Sequence, residues 1–177
     1  TPRIKLDTAA PYALGQMVSP AAYMEMRWDI QKAMEAVPTR FMAVEDAYER
    51  EFGRKYGMVE AVACDDADII FVVSGTVSGT CRQVIDELRS GGEKAGMLKI
   101  KMFRPFPVDD VRRILGRAGK AAVVDRNFSF GMGGIFAQEV KAALCNEKKH
   151  PSVFGYIAGL GGRDVTPDTL QEIYQAT

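Results

Sequence analysis

The sequence predicts an α/β fold, with a mainly parallel sheet covered by helices on both faces. Three observations predict it. From Met58 onward, short apolar runs alternate with helical patterns, which is the signature of stacked strand–helix units. Ala67–Val73 (ADIIFVV) is almost continuously apolar, as a strand covered on both faces must be. The preceding run, Val59–Ala63, reaches it through only Cys64-Asp65-Asp66-Ala67. A parallel crossover takes roughly a dozen residues or more, so that first strand is predicted to run antiparallel or to lie on an edge.

The elements follow in order. Residues 1–20 carry Pro2, Pro11, Gly15 and Pro20 without a period and read as extended linker. From Ala21, Tyr23, Met26, Ile30, Met34 and Val37 recur at helical steps, until Pro38 stops or kinks the helix. Phe41, Val44, Tyr48 and Phe52 mark a second helix ending at Gly53. Its polar positions, Glu45 among them, read as a solvated face. After ADIIFVV comes SGTVSGT (Ser74–Thr80), then a helix with Cys81, Val84, Ile85 and Leu88 inward, closed by Gly91-Gly92. Ala95–Phe103 is the next strand, and the prolines of Arg104–Pro107 (RPFP) end it, because neither can donate to a ladder. Val108, Val111, Ile114 and Leu115 mark a helix. Ala121–Val124 is a strand running into Asp125-Arg126-Asn127, and Gly131–Gly134 opens a helix with Phe136, Val140, Ala143 and Leu144 inward. Val153–Ala158 is the last strand, followed by Gly159–Gly162. Thr166-Pro167 supplies a cap and a first-turn proline to a helix that buries Leu170, Ile173 and Tyr174.

Composition narrows the function. The 177 residues are 47% hydrophobic and 26% charged, values of a globular chain able to bury about 70% of its unfolded surface. Lys+Arg and Asp+Glu balance at 23 each, so no broad basic field for nucleic acid or an anionic membrane is expected. No apolar run approaches the roughly 20 residues of a membrane span, and the start TPRIKLD has no signal-peptide core. Cys64, Cys81 and Cys145 are odd in number and widely spaced, which predicts neither a disulfide framework nor a Cys-rich metal site. Free thiols and nine methionines fit a reducing cytoplasm. The single histidine, His150, lies in the polar run NEKKHP and reads as a solvated loop residue.

Chemistry in an open parallel sheet gathers beyond the carboxyl ends of the strands. Four segments cross that edge: Ser74–Thr80, Phe103–Pro107, Asp125–Gly134 and Gly159–Thr166. Three carry an arginine close to a strand end, at Arg104, Arg126 and Arg163. With Gly75 and Thr76 of the Ser/Gly/Thr turn, they form an anion-friendly rim. The competing reading gives the glycines to tight turns and pairs the arginines with Asp125, Asp164 or a neighbouring subunit. SGTVSGT is the best local phosphate candidate. It is neither GxGxxG nor GxxxxGK[ST], and hydroxyls at Thr76, Ser78 and Thr80 are also suited to capping a helix. Cys81 reads as a buried structural thiol. Asp65, Asp66 and Asp68 lack calcium-loop spacing and read as a strand-leading turn.

At FGRKYGMVEAV, FRPFP, DRNFSFGMGG and GLGGRDVT the sequence resembles the carboxyl-terminal half of the α subunit of 2-oxoacid:ferredoxin oxidoreductases, most of all the pyruvate enzymes. Asp66-Ala67-Asp68, Ser74-Gly75-Thr76, Arg104–Pro107, Asp125–Asn127 and Gly159–Asp164 stand in that family's order, and the resemblance covers essentially the whole chain. It implies a transketolase carboxyl-terminal-like domain, three layers around a five-stranded mixed sheet. It divides the chain into a linker and helical segment, 1–57, leaving a thiamine pyrimidine-binding domain, and an α/β domain, 58–177.

The family oxidatively decarboxylates a 2-oxoacid with thiamine diphosphate and Mg²⁺. The acyl group passes to coenzyme A, and electrons pass through iron–sulfur clusters to ferredoxin, in anaerobes and in the cytoplasm. No GDG…N pattern for the diphosphate and no CxxCxxC run for a cluster occurs here, so no catalytic or metal-binding residue is assigned and no cofactor is expected on this chain alone. The expectation is a non-catalytic domain that packs against thiamine-binding and iron–sulfur subunits, with Gly75, Thr76, Arg104, Arg126 and Arg163 as candidate contacts to coenzyme A or a subunit. The alternatives are the carboxyl-terminal domain of a transketolase or 2-oxoacid dehydrogenase, or a free-standing flavodoxin-like module binding an anion or FMN.

Overall fold

The computed structural model describes residues 5–11, 15 and 17–177. The linker expected over residues 1–20 falls partly outside them, and Pro2 with it. The described part before Pro20 has no regular structure, and Pro20 itself opens the first helix.

Two helices lead. α1 (Pro20–Glu35) and α2 (Val37–Phe52) meet at Ala36, with Pro38 in the first turn of α2, where a missing N–H costs nothing. Gly53 closes α2 in the left-handed region at φ 66°. Five strands then alternate with four helices: β1 (Val59–Val62), β2 (Ile69–Ser74), α3 (Val77–Ser90), β3 (Ala95–Ile100), α4 (Val108–Leu115), β4 (Lys120–Asp125), α5 (Ile135–Leu144), β5 (Ser152–Ile157) and α6 (Pro167–Ala176). The sheet order is β1-β3-β2-β4-β5. β1 is both antiparallel and outermost, pairing with β3 from Val59–Ile100 to Val62–Met97, while the other four strands are parallel.

Strand alternation sorts the core into two layers. Ile70 and Val72 of β2 face Val111, Leu115, Val140 and Leu144 of α4 and α5. Phe71 and Val73 face Val84, Ile85, Leu170 and Ile173 of α3 and α6. Gly96 on β3 is forced by contact: a Cβ there would lie 2.7 Å from the Ala63 carbonyl.

Several boundaries differ from expectation. The α3 helix begins at Val77, inside SGTVSGT, because the β2–α3 turn needs only Gly75 and Thr76. Thr76 makes no side-chain cap; Ser78 Oγ instead donates back to the Gly75 carbonyl at 2.7 Å. β3 stops at Ile100, three residues short, and β2 starts at Ile69 rather than Ala67. Glu45 does not sit on a solvated face. It is 8% exposed, and its carboxylate accepts the amides of Tyr56 (2.8 Å) and Gly57, tying the Gly53–Gly57 turn down onto α2.

Candidate functional site

All four segments expected at the carboxyl edge leave parallel strands there. The structure gathers only part of the expected rim. Thr76, Val77 and Thr80 at the start of α3, Arg126 after β4, and Gly162–Val165 after β5 line one open polar cleft of about 210 Å³. Gly75 does not line it; at φ 61° it makes the tight turn that delivers Thr76. Arg104 stands elsewhere. Its guanidinium lies 4.0 Å from the Phe103 ring and bonds Glu139 of α5 at 2.5 Å, so it ties the β3–α4 turn to a helix rather than facing an anion.

The DRN run divides its labour. Asp125 is fully buried. One carboxylate oxygen accepts the amide of Phe136 (2.9 Å) and the side-chain amide of Asn127 (3.0 Å), and the other accepts the amide of Ala137 (3.0 Å). Asn127 Oδ1 accepts the amide of Ile135 at 2.8 Å. Together they satisfy the orphan donors of the first turn of α5. The nearby double glycine is part of that arrangement, since a Cβ at Gly134 would fall 1.9 Å from Asp125 Oδ2.

Among the described residues Asp125 therefore pairs with no arginine, and Arg126 points elsewhere. A Cβ at Gly159 would sit 3.0 Å from Arg126 Nε, so the bare backbone of that glycine lets the guanidinium lie against the Gly159–Asp164 loop. Among the described residues neither Arg126 nor Arg163 forms an ion pair, and neither does Asp164. The cleft thus holds two unneutralised guanidinium groups, two threonines and one carboxylate at the positive end of a 14-residue helix.

Other groups take structural roles. Cys81 is buried in the second turn of α3, and burial pushes its thiol up to about 12; burial raises Cys64 as well. Asp66 pairs with Arg89 and Asp65 with Arg117. His150 is exposed, as is Cys145 at the far end of α5. Among the described residues no group of three His, Cys, Asp or Glu side chains is gathered as a metal ion would require, and no helix is long and apolar enough to cross a membrane. One surface has no periodic signal in the sequence: after Arg126, Phe128, Phe130 and Met132 project into solvent from a turn closed by Ser129 and Gly133.

A three-layer domain whose mixed sheet ends in an antiparallel outer strand is of the transketolase carboxyl-terminal type. In fold it is similar to the 2-oxoglutarate:ferredoxin oxidoreductase of Magnetococcus marinus, with a TM-score of 0.59 at 21% identity over 89% of this chain and 23% of that one. It is also similar to a split-gene transketolase, with a TM-score of 0.54 at 14% identity over 70% of this chain and 42% of that one. Residues 67–170 match the family model for pyruvate:ferredoxin oxidoreductase core domain II, and the chain belongs to that 2-oxoacid:ferredoxin oxidoreductase family. It is 41% identical to pyruvate synthase subunit PorA of Methanothermobacter thermautotrophicus, over 99% of this chain and 45% of the relative. It is also 41% identical to ketoisovalerate oxidoreductase subunit VorA of Pyrococcus horikoshii, over 94% of this chain and 43% of the relative. The chain therefore spans less than half the length of these curated relatives.

Proposed function

We propose that the chain serves as a non-catalytic structural and subunit-interface domain of a thiamine-diphosphate-dependent 2-oxoacid:ferredoxin oxidoreductase. The whole enzyme converts a 2-oxoacid such as pyruvate to acyl-coenzyme A and reduces ferredoxin. Residues 58–177 are the transketolase-C-like unit, and residues 1–57 are the segment leaving the thiamine pyrimidine-binding domain. Thiamine diphosphate, Mg²⁺ and iron–sulfur clusters belong to other parts of the assembly, in the cytoplasm. The Arg126–Arg163 edge contacts an anion such as coenzyme A or a neighbouring subunit. The solved 2-oxoglutarate enzyme, which carries coenzyme A and succinyl-CoA, lends support by its fold alone. Equal identity to pyruvate and ketoisovalerate enzymes supports placing the choice of acid outside this chain.

One observation carries the scaffold reading. The helices α1 and α2, 16 residues each, bury a single side chain between them, Glu45, while Tyr23, Trp28 and Ile30 stay half exposed. Helices of this length draw most of their stability from packing an apolar face, so these faces call for a cover. In the assembled oxidoreductase, Ile30→Glu is expected to lower the mass of the complex and its 2-oxoacid-dependent ferredoxin reduction in parallel. Unchanged mass and turnover would sink the scaffold reading. Calorimetry of the chain with thiamine diphosphate and Mg²⁺ is expected to show no binding.

A further inference from the structure

Strand order adds an observation that the composition of the edge does not contain. Leaving aside β1, the parallel strands lie in the order β3-β2-β4-β5. The chain winds outward in one direction from β2 to β3 and in the other from β4 to β5, so the order reverses between β2 and β4. The helices follow suit: α3, after β2, covers one face, and α5, after β4, covers the other. Where neighbouring connections part in this way an open sheet has a crevice at its carboxyl edge, and ligands of open α/β sheets bind there. Pairing opens it further. β2 and β4 are paired only from Ile69–Lys120 to Val72–Val123, whereas β4 and β5 stay paired through Asp125–Ile157. The polar cleft of Thr76, Thr80, Arg126, Arg163 and Asp164 is built from the connections that leave this crevice and the adjoining β5.

We propose that this crevice binds a phosphorylated sugar. Arg126 and Arg163 hold the phosphate, assisted by the Thr76 and Thr80 hydroxyls, and Asp164 accepts a sugar hydroxyl. The assignment rests on the anion reading above and specifies its ligand. Unpaired guanidinium groups with hydroxyls at a helix start suit a phosphomonoester. Asp164 is an acceptor only, and it disfavours a bare oxyanion unless the ligand also brings a donor. The cleft, at about 210 Å³, lies below the roughly 300 Å³ where pockets for drug-sized ligands begin. It suits one sugar phosphate unit. That unit has two sources, a free sugar phosphate or the phosphorylated ribose of coenzyme A.

Isothermal titration of the 177-residue chain with ribose 5-phosphate, ribose and inorganic phosphate tests the assignment. Ribose 5-phosphate is expected to bind about tenfold more tightly than inorganic phosphate, and ribose not at all. Arg126→Ala and Arg163→Ala are each expected to weaken it about tenfold, with wild-type melting temperatures. Asp164→Asn is expected to weaken ribose 5-phosphate without weakening inorganic phosphate. Displacement of ribose 5-phosphate by coenzyme A would assign the site to the carrier; no displacement would assign it to a free sugar phosphate. Absence of heat with ribose 5-phosphate, equal affinity for inorganic phosphate, or indifference to both arginine substitutions would overturn the proposal. Those outcomes leave the scaffold reading untouched, because it is judged by the mass and turnover of the Ile30→Glu assembly.

Discussion

Asp125 shows how much one buried carboxylate can organise. It replaces water at the start of α5 with fixed acceptors, and Gly134 exists to leave it room. Asp125→Ala leaves the Phe136 and Ala137 amides without their acceptors and is expected to cost about 2–3 kcal/mol in urea unfolding. Gly134→Ala is expected to cost a similar amount, by pushing the same carboxylate aside. Arg126, one residue on, carries no such duty, so Arg126→Ala is expected to leave the unfolding midpoint unchanged. The cysteines make a second residue-level test. Under native conditions an alkylating reagent is expected to modify Cys145 alone, since Cys64 and Cys81 are buried with raised thiols. Modification of all three is expected only in denaturant.

Between elements, charge does the joining where apolar contact is thin. Glu60 on the outer strand β1 meets Arg82 of α3 and, at 3.1 Å, Lys101 after β3. Burial pushes the Glu60 carboxyl up, but Lys101 and Arg82 outweigh it and hold the group below its ordinary range. A carboxyl lowered in the folded state stabilises the fold above its unfolded pKa, and that contribution fades as pH falls through the folded value. Lys101→Met is therefore expected to destabilise the chain by up to about 1 kcal/mol at pH 7 and by less at pH 3. Urea midpoints across that range check it. Sequence periodicity located these elements well because burial enforces it: ADIIFVV and the Val84–Leu88 stripe could face only a core. It placed Glu45 on the wrong side. That residue borders the Phe41–Tyr48 stripe, and its partners are turn amides beyond Gly53, which no helical period reports. The pairing of Arg104 was hidden for the same kind of reason, its partner Glu139 lying on α5, beyond α4 and β4.

Over the whole molecule, the sheet brings the ends of distant segments together and thereby makes the site. Arginines following strands were legible in the sequence. Which of them share a cleft was not, because that depends on strand order, and β4 could have joined either side of β2. The antiparallel outer strand was legible, since a short connection forbids a crossover, though its partner proved to be β3 rather than a neighbour in sequence. The uncovered α1 and α2 predict the solution behaviour of the chain. At raised concentration it is expected to self-associate through Tyr23, Trp28 and Ile30, and Ile30→Glu is expected to return it to monomer in light scattering.

Cys145 ends a helix that runs from the carboxyl edge of the sheet back to the amino edge, and it is the exposed thiol of the three. A maleimide surface or a fluorophore would thus grip the molecule from behind. Immobilised in this way, every copy would present its arginine-lined mouth to the flowing solution, a ready-made orientation for surface-plasmon or single-molecule measurements with no engineered tag.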